Sequence, residues 1–267
     1  MLSLFLTQSA IGSLLVLLLI PARAGGRKLF RYTVGQGAAL IALGLAAGAE
    51  GHSLRSSLFG GAVLLLAVAS GLFHLGRLGA GLALLAAGLG PALAGMIRDA
   101  WSLIPSADPS GVARLLYPLD ALTSGLVTGS ALIAMILGHY YLNIPGLAIG
   151  HLQRLSLAFL GAVMLRMAVV GGSLARSRDL IEPLVRILID PGAAPAGAGL
   201  DPFVLVLVLI HLLFGGLAAG VMAFMAWRTS LISSTQSTTG ILYVALLMAI
   251  MGEMASRYLL VLTRLPL

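Results

Sequence analysis

The stretch Thr235–Leu262, TQSTTGILYVALLMAIMGEMASRYLLVL, is long and apolar enough to cross a bilayer, yet it carries an acid, Glu253, deep inside it. Arg257 follows four residues later. On a helix that spacing puts both side chains on one face with the acid N-terminal, the better order for an ion pair. An ionisable group at membrane depth costs at least about 2.5 kcal/mol, so it is normally paired and turned toward protein or a water-filled cavity. The other membrane segments are therefore expected to gather around this helix.

Composition agrees: 59% of the 267 residues are hydrophobic, 9% are charged, and the mean hydropathy is +1.05. A soluble domain has roughly a quarter of its residues charged. The fold class is therefore all-α, a polytopic membrane bundle. Soluble enzymes, disulfide-stapled modules and nucleic-acid-binding domains are excluded, and the net charge of +7 reflects short basic loops between spans. There is no cysteine, so no iron–sulfur cluster, thiolate zinc site or c-type haem is expected on this chain. The first charges, Arg23, Arg27, Lys28 and Arg31, follow the first apolar run. That order points to a retained anchor helix and away from a cleaved signal peptide.

Eight apolar spans are expected in one integral membrane domain over 1–267, at about 2–21, 33–50, 57–75, 78–97, 120–143, 154–174, 202–226 and 236–262. Two links are long, about 98–119 and 175–201. The second contains LARSRDLIEPLVRILID, whose apolar residues at helical spacing suit an amphipathic surface helix, followed by a Pro/Gly/Ala loop. With eight spans, one side collects Arg23, Arg27, Lys28, Arg31, Arg77, Arg154 and Arg228 and no acid. The other side collects Glu50, Asp99, Asp108, Asp120, Asp179, Glu182, Asp190 and Asp201, mixed with arginines. The positive-inside rule makes the first side cytoplasmic and puts both termini and both long links outside, in a periplasm if the membrane is a bacterial inner membrane. The small-residue pairs Gly44/Gly48, Gly125/Gly129 and Gly216/Gly220 suit close packing within the bundle.

Few residues can carry chemistry. Glu253 is read as the intramembrane acid, and Arg257 and Arg166, the latter midway through the sixth span, are its expected partners. At the cytoplasmic end of the fifth span, His139, Tyr140, Tyr141 and Asn143 offer hydrogen bonds and flat rings suited to a quinone head group; the aromatic belt of any membrane protein explains the tyrosines equally well. His74 and His139 are the candidate axial pair for a b-type haem, though such histidines more often bond a neighbouring helix and no haem is expected. No metal-site, nucleotide-loop or nucleophile-elbow motif is present, and the lone lysine, Lys28, is expected in a loop before the second span, away from where a retinal Schiff base would need it.

The run Gly252-Glu253-Met254-Ala255-Ser256-Arg257-Tyr258-Leu259 resembles the end of the last helix in the membrane-anchor subunits of the polysulfide and dimethyl sulfoxide reductase family, where Gly-Glu followed by Arg-Tyr or Arg-Trp recurs. The eight spans and the lack of cysteine are similar too. The resemblance covers about ten residues. It implies an eight-helix, haem-free subunit that exchanges electrons with the quinone pool and docks other membrane and periplasmic redox subunits, including an iron–sulfur or cytochrome partner. The rival expectations are a small-solute or proton transporter, and a structural subunit without a ligand.

Overall fold

A computed structural model describes residues 1–48, 53–105, 111–143, 148–176 and 202–267, without the side chains of 22–25 and 53. The expected amphipathic helix and loop across 177–201 lie outside the described residues. Among those described there are helices and turns, with no strand. The helices are α1 (Leu2–Leu17), α2 (Ala22–Ala47), α3 (Ser53–His74), α4 (Leu78–Ser102), α5 (Gly111–Asn143), α6 (Gly150–Arg176), α7 (Pro202–Leu231) and α8 (Thr235–Thr263). Seven, α2 to α8, are long and apolar enough to cross a membrane, which makes this a multi-pass membrane protein. α1 is apolar but only 16 residues long, about 24 Å of helix against a hydrocarbon core of about 30 Å.

The distribution of side chains is that of a bundle in lipid. Leu64, Met164 and Leu217 are 69%, 64% and 64% exposed, whereas Asp120, Arg166, Glu253 and Arg257 have no exposed surface. Large apolar residues can face outward where the solvent is acyl chain, and charges must then pair inside.

The helix at the centre is α5, whose membrane window is 72% buried against 44% for α8. The expectation that the other spans gather around the last helix is corrected here. The reason lies in side-chain size: Ala121, Ser124, Gly125, Thr128, Gly129, Ser130, Ala131 and Ala134 leave α5 thin enough for α1, α4, α6 and α8 to pack against it. The contact with α1 is the closest. A Cβ at Gly129 would stand 2.3 Å from the Gly12 backbone, and one at Gly125 would stand 2.4 Å from the Gln8 carbonyl oxygen. Gly44 likewise faces Thr7, and Gly216 faces Met167, so the small-residue pairs serve contacts within this chain.

Two irregularities shape the site. Pro118 lies inside α5 and supplies no N–H to the Arg114 carbonyl. The Trp101 indole N–H donates to that oxygen at 3.0 Å. In α7, residues His211–Ala218 widen into a π-helical turn, a feature that often marks functional positions. Its Gly215 meets Gly252 of α8, where an added Cβ would lie 2.2 Å from the Gly215 Cα.

Candidate functional site

Four charges from three helices meet where the π-turn of α7 approaches α8. Arg166 of α6 is the hub. Its Nη1 donates to Asp120 Oδ1 of α5 at 2.5 Å and its Nε to Glu253 Oε1 of α8 at 3.1 Å. Its Nη2 donates to Ser256 Oγ at 2.6 Å and to the Leu267 carbonyl oxygen at 2.7 Å. Arg257 Nη1 pairs with Asp120 Oδ2 at 2.6 Å, and its Nη2 donates to Ser256 Oγ at 3.0 Å. Two guanidiniums thus face two side-chain carboxylates, so the four side-chain charges sum to zero, which is what lets them sit together away from water.

The last residues cover the cluster. Arg264 takes a left-handed conformation, φ 57°, that ends α8 and turns the chain back. Pro266 and Leu267 are then buried, with the Leu267 carbonyl oxygen accepting from Ser256 as well as Arg166. Tyr117 donates to the Arg264 carbonyl and fixes the turn against α5.

Apart from Arg257 Nε and the ion-paired Asp120 Oδ2 and Arg257 Nη1, two atoms of this centre have no hydrogen-bond partner. One is Glu253 Oε2. The other is His211 Nε2, on a ring that is 1% exposed. His211 Nδ1 donates to the Gly252 carbonyl at 3.0 Å, which fixes the tautomer and leaves the Nε2 lone pair as the unused acceptor. Ser124 of α5 approaches the same carboxyl group. A carboxylate oxygen and an imidazole nitrogen, both buried and unpartnered, are suited to accept and release protons.

The structure therefore brings Glu253, Arg257 and Arg166 together, as the sequence suggested, but with two corrections. Glu253 is not the sole intramembrane acid: Asp120, counted with the outer side at the start of the fifth span, lies fully buried inside α5, which begins nine residues earlier, at Gly111. Arg257 pairs with Asp120, and the i, i+4 partner Glu253 is held by Arg166. Asp99, assigned to the link over about 98–119, lies at the end of α4 and accepts from Arg55 Nε on both carboxylate oxygens at 2.9 Å.

His139, Tyr140 and Asn143 lie at the far end of α5. The 19 residues from Asp120 to His139 correspond to about 28 Å of helix, so they are no part of the charge cluster. His139 Nδ1 stands 3.4 Å from the Tyr243 hydroxyl, Asn143 folds back to the His139 carbonyl at 3.1 Å, and Tyr140 is partly buried against the core. Tyr141 donates to the Ala148 carbonyl. His74, the other candidate haem ligand, is bonded through Nδ1 to Arg31 Nη1 at 2.6 Å. It sits on α3, which packs along α2 and α4, whereas α5 packs along α1, α4, α6 and α8. Among the described residues no three of His, Asp and Glu converge in a way that would hold a metal.

No family model, curated protein or solved structure matches this chain.

Proposed function

We propose that this chain is an integral membrane subunit of an electron-transfer complex in a bacterial inner membrane, where it anchors redox partners and handles protons for the quinone pool through Glu253. One observation carries the reading: Glu253 Oε2 and His211 Nε2 are buried and unpartnered beside a neutral four-charge cluster. The residues that carry the resemblance to quinone-interacting anchor subunits support it, because Glu253 and Arg257 are two of the four charges of this cluster and the Gly252 carbonyl accepts from His211 beside it. Quinol oxidation releases protons and electrons together. Glu253 and His211 would take the protons, and the electrons would pass to a centre held by a partner, since this chain has no cysteine to bind a cluster.

The test uses Glu253→Gln, which keeps the shape and removes the charge. In membranes containing the assembled complex, we expect quinol-linked electron transfer per assembled subunit to fall at least tenfold. Full activity across pH in that variant would refute the role. A proton transporter is the second reading, favoured by the same unpartnered pair because it needs no redox partner. Proton uptake by liposomes carrying this chain alone, lost in Glu253→Gln, would establish it.

We further infer that α1 is an eighth span and that both termini face outward. The seven basic residues and no acid on one side support this. Reporter fusions after Arg31 and after Asp190 are expected to read cytoplasmic and external, and a cytoplasmic signal at Asp190 would overturn the orientation.

A further inference from the structure

The sequence Gly26-Arg27-Lys28-Leu29-Phe30-Arg31 places three cations within five residues. Arg27 and Arg31, four apart, lie on one face of α2, where like charges repel. In the structure Arg27, Lys28 and Arg31 line a cavity of about 300 Å³ together with Phe73 and His74, at the C-terminal end of α3. That is room for about ten waters.

The arginines are held in place for something other than each other. Arg31 Nη1 is anchored by His74 Nδ1 at 2.6 Å, and its guanidinium stacks 4.5 Å above the Tyr32 ring. Arg27 lies across the α3–α4 turn, where Gly76 has φ 80° and a Cβ would come within 2.5 Å of Arg27 Nη1. Gly76 thus provides both the turn and the space for that side chain. No carboxylate of the described residues neutralises the pocket. Asp99, Asp120 and Glu253 are committed to Arg55, Arg166 and Arg257. The remaining six acids lie along the sequence in the α2–α3, α4–α5 and α6–α7 links, outside the described residues.

We propose that this cavity binds a phosphate-bearing anion, and that its source is the headgroup of an anionic phospholipid. The cations supply charge-assisted hydrogen bonds to phosphate oxygens. Basic pockets between membrane helices on the cytoplasmic side are suited to such headgroups. The choice of lipid over free phosphate rests on the wall beneath the cations: Phe73 packs on Phe30 with ring centroids 5.5 Å apart, and Leu75 beside it is 72% exposed. An amphiphile matches a charged rim over an apolar base, and an inorganic ion does not.

The experiment compares the full chain with R27Q/K28Q/R31Q and with R154Q/R228Q, which removes two charges from the same basic side but outside the pocket. Binding of phosphatidylglycerol is followed by native mass spectrometry and by titration of detergent-solubilised protein into vesicles containing it, with phosphatidylcholine vesicles as reference. We expect the triple variant to bind at least tenfold more weakly and the control to stay within twofold of the parent. Equal loss in both variants would mean general attraction to the basic face, and undiminished binding in the triple variant would remove the site; either result overturns the proposal. Millimolar inorganic phosphate should fail to displace the lipid, and full displacement would assign the site to free phosphate. Arg27 and Lys28 are exposed, so R27Q and K28Q singly provide folded variants, each expected to weaken binding severalfold, should the triple variant be unstable.

Discussion

Arg166→Met tests the electrostatics of the buried cluster most directly. Besides a long contact to the Asp120 carbonyl at 3.4 Å, the substitution removes four shorter hydrogen bonds, to the Asp120 and Glu253 carboxylates, Ser256 and the Leu267 carbonyl, at 2.5, 3.1, 2.6 and 2.7 Å. Two estimates of the cost differ in origin. Interhelical hydrogen bonds in membranes average about 0.6 kcal/mol each, so four would give roughly 2.4 kcal/mol. Leaving a buried charge uncompensated costs about 3–5 kcal/mol, and in this variant Arg257 alone must balance both carboxylates. The double variant Arg166→Met/Glu253→Gln separates the two. It restores neutrality, with Asp120 still paired to Arg257 at 2.6 Å, while recovering none of the four bonds. If uncompensated charge dominates, the double variant is more stable than Arg166→Met by at least about 1.5 kcal/mol, which is roughly half the cost of the unpaired charge. Reversible unfolding in mixed micelles, followed by circular dichroism, measures both. A double variant as unstable as the single one would refute the reasoning and leave hydrogen-bond count as the explanation.

Two further predictions concern packing. Gly252→Ala puts a Cβ 2.2 Å from the Gly215 Cα, and with backbone on both sides nothing can rotate away, so a loss of about 1–3 kcal/mol is expected; Gly240→Ala in the same helix, with open space around it, should be neutral or stabilising by up to about 1 kcal/mol, and thermal melts of the two compare them. Because the chain has no cysteine, Ser9→Cys/Thr128→Cys introduces the only thiols, at hydroxyls 3.0 Å apart across the α1–α5 contact; an intramolecular disulfide should form under mild oxidation, and a failure to cross-link would show that α1 does not pack there.

Much of the architecture was legible because bilayer thickness and backbone hydrogen bonding leave a membrane chain few options. The Gly125/Gly129 pair named a real contact for the same kind of reason, since only small residues let two helix backbones come so close. Asp120 shows where that reasoning stops. An acid at the edge of an apolar run looks like the start of a loop, and Pro118 two residues earlier strengthens that impression. The helix nevertheless runs through both, because Trp101 takes up the carbonyl freed by the proline and two arginines from other helices neutralise the acid. Those partners lie 46 and 137 residues away along the chain, beyond any local pattern. His211 lies in an apolar run of the sequence with no motif around it, and its place in the site depends on the π-turn that carries it and on its bond to the Gly252 carbonyl. The widened turn is where Gly215 meets Gly252 backbone to backbone, a tertiary contact with no signature in hydropathy.

The cluster divides its labour by atom, and this separates the structural reading from the functional one. Each nitrogen of Arg166 is bonded and both carboxylate oxygens of Asp120 face a guanidinium, so these two residues lock α5, α6 and α8 together. Arg166 engages one oxygen of Glu253, and the other lies in the same centre as the open nitrogen of His211, with the Ser124 hydroxyl near the carboxyl group. Glu253→Gln alone leaves an excess positive charge and would lower stability as well as proton handling, so its activity loss mixes two causes. Arg166→Met/Glu253→Gln is neutral, keeps the Asp120–Arg257 pair, and lacks only the exchangeable carboxylate and its holder. On the reasoning above that variant assembles better than either single change, yet remains inactive in quinol-linked electron transfer. Recovery of activity together with assembly would assign Glu253 to packing alone, while recovered assembly with no activity is the pattern that a proton-handling carboxylate requires.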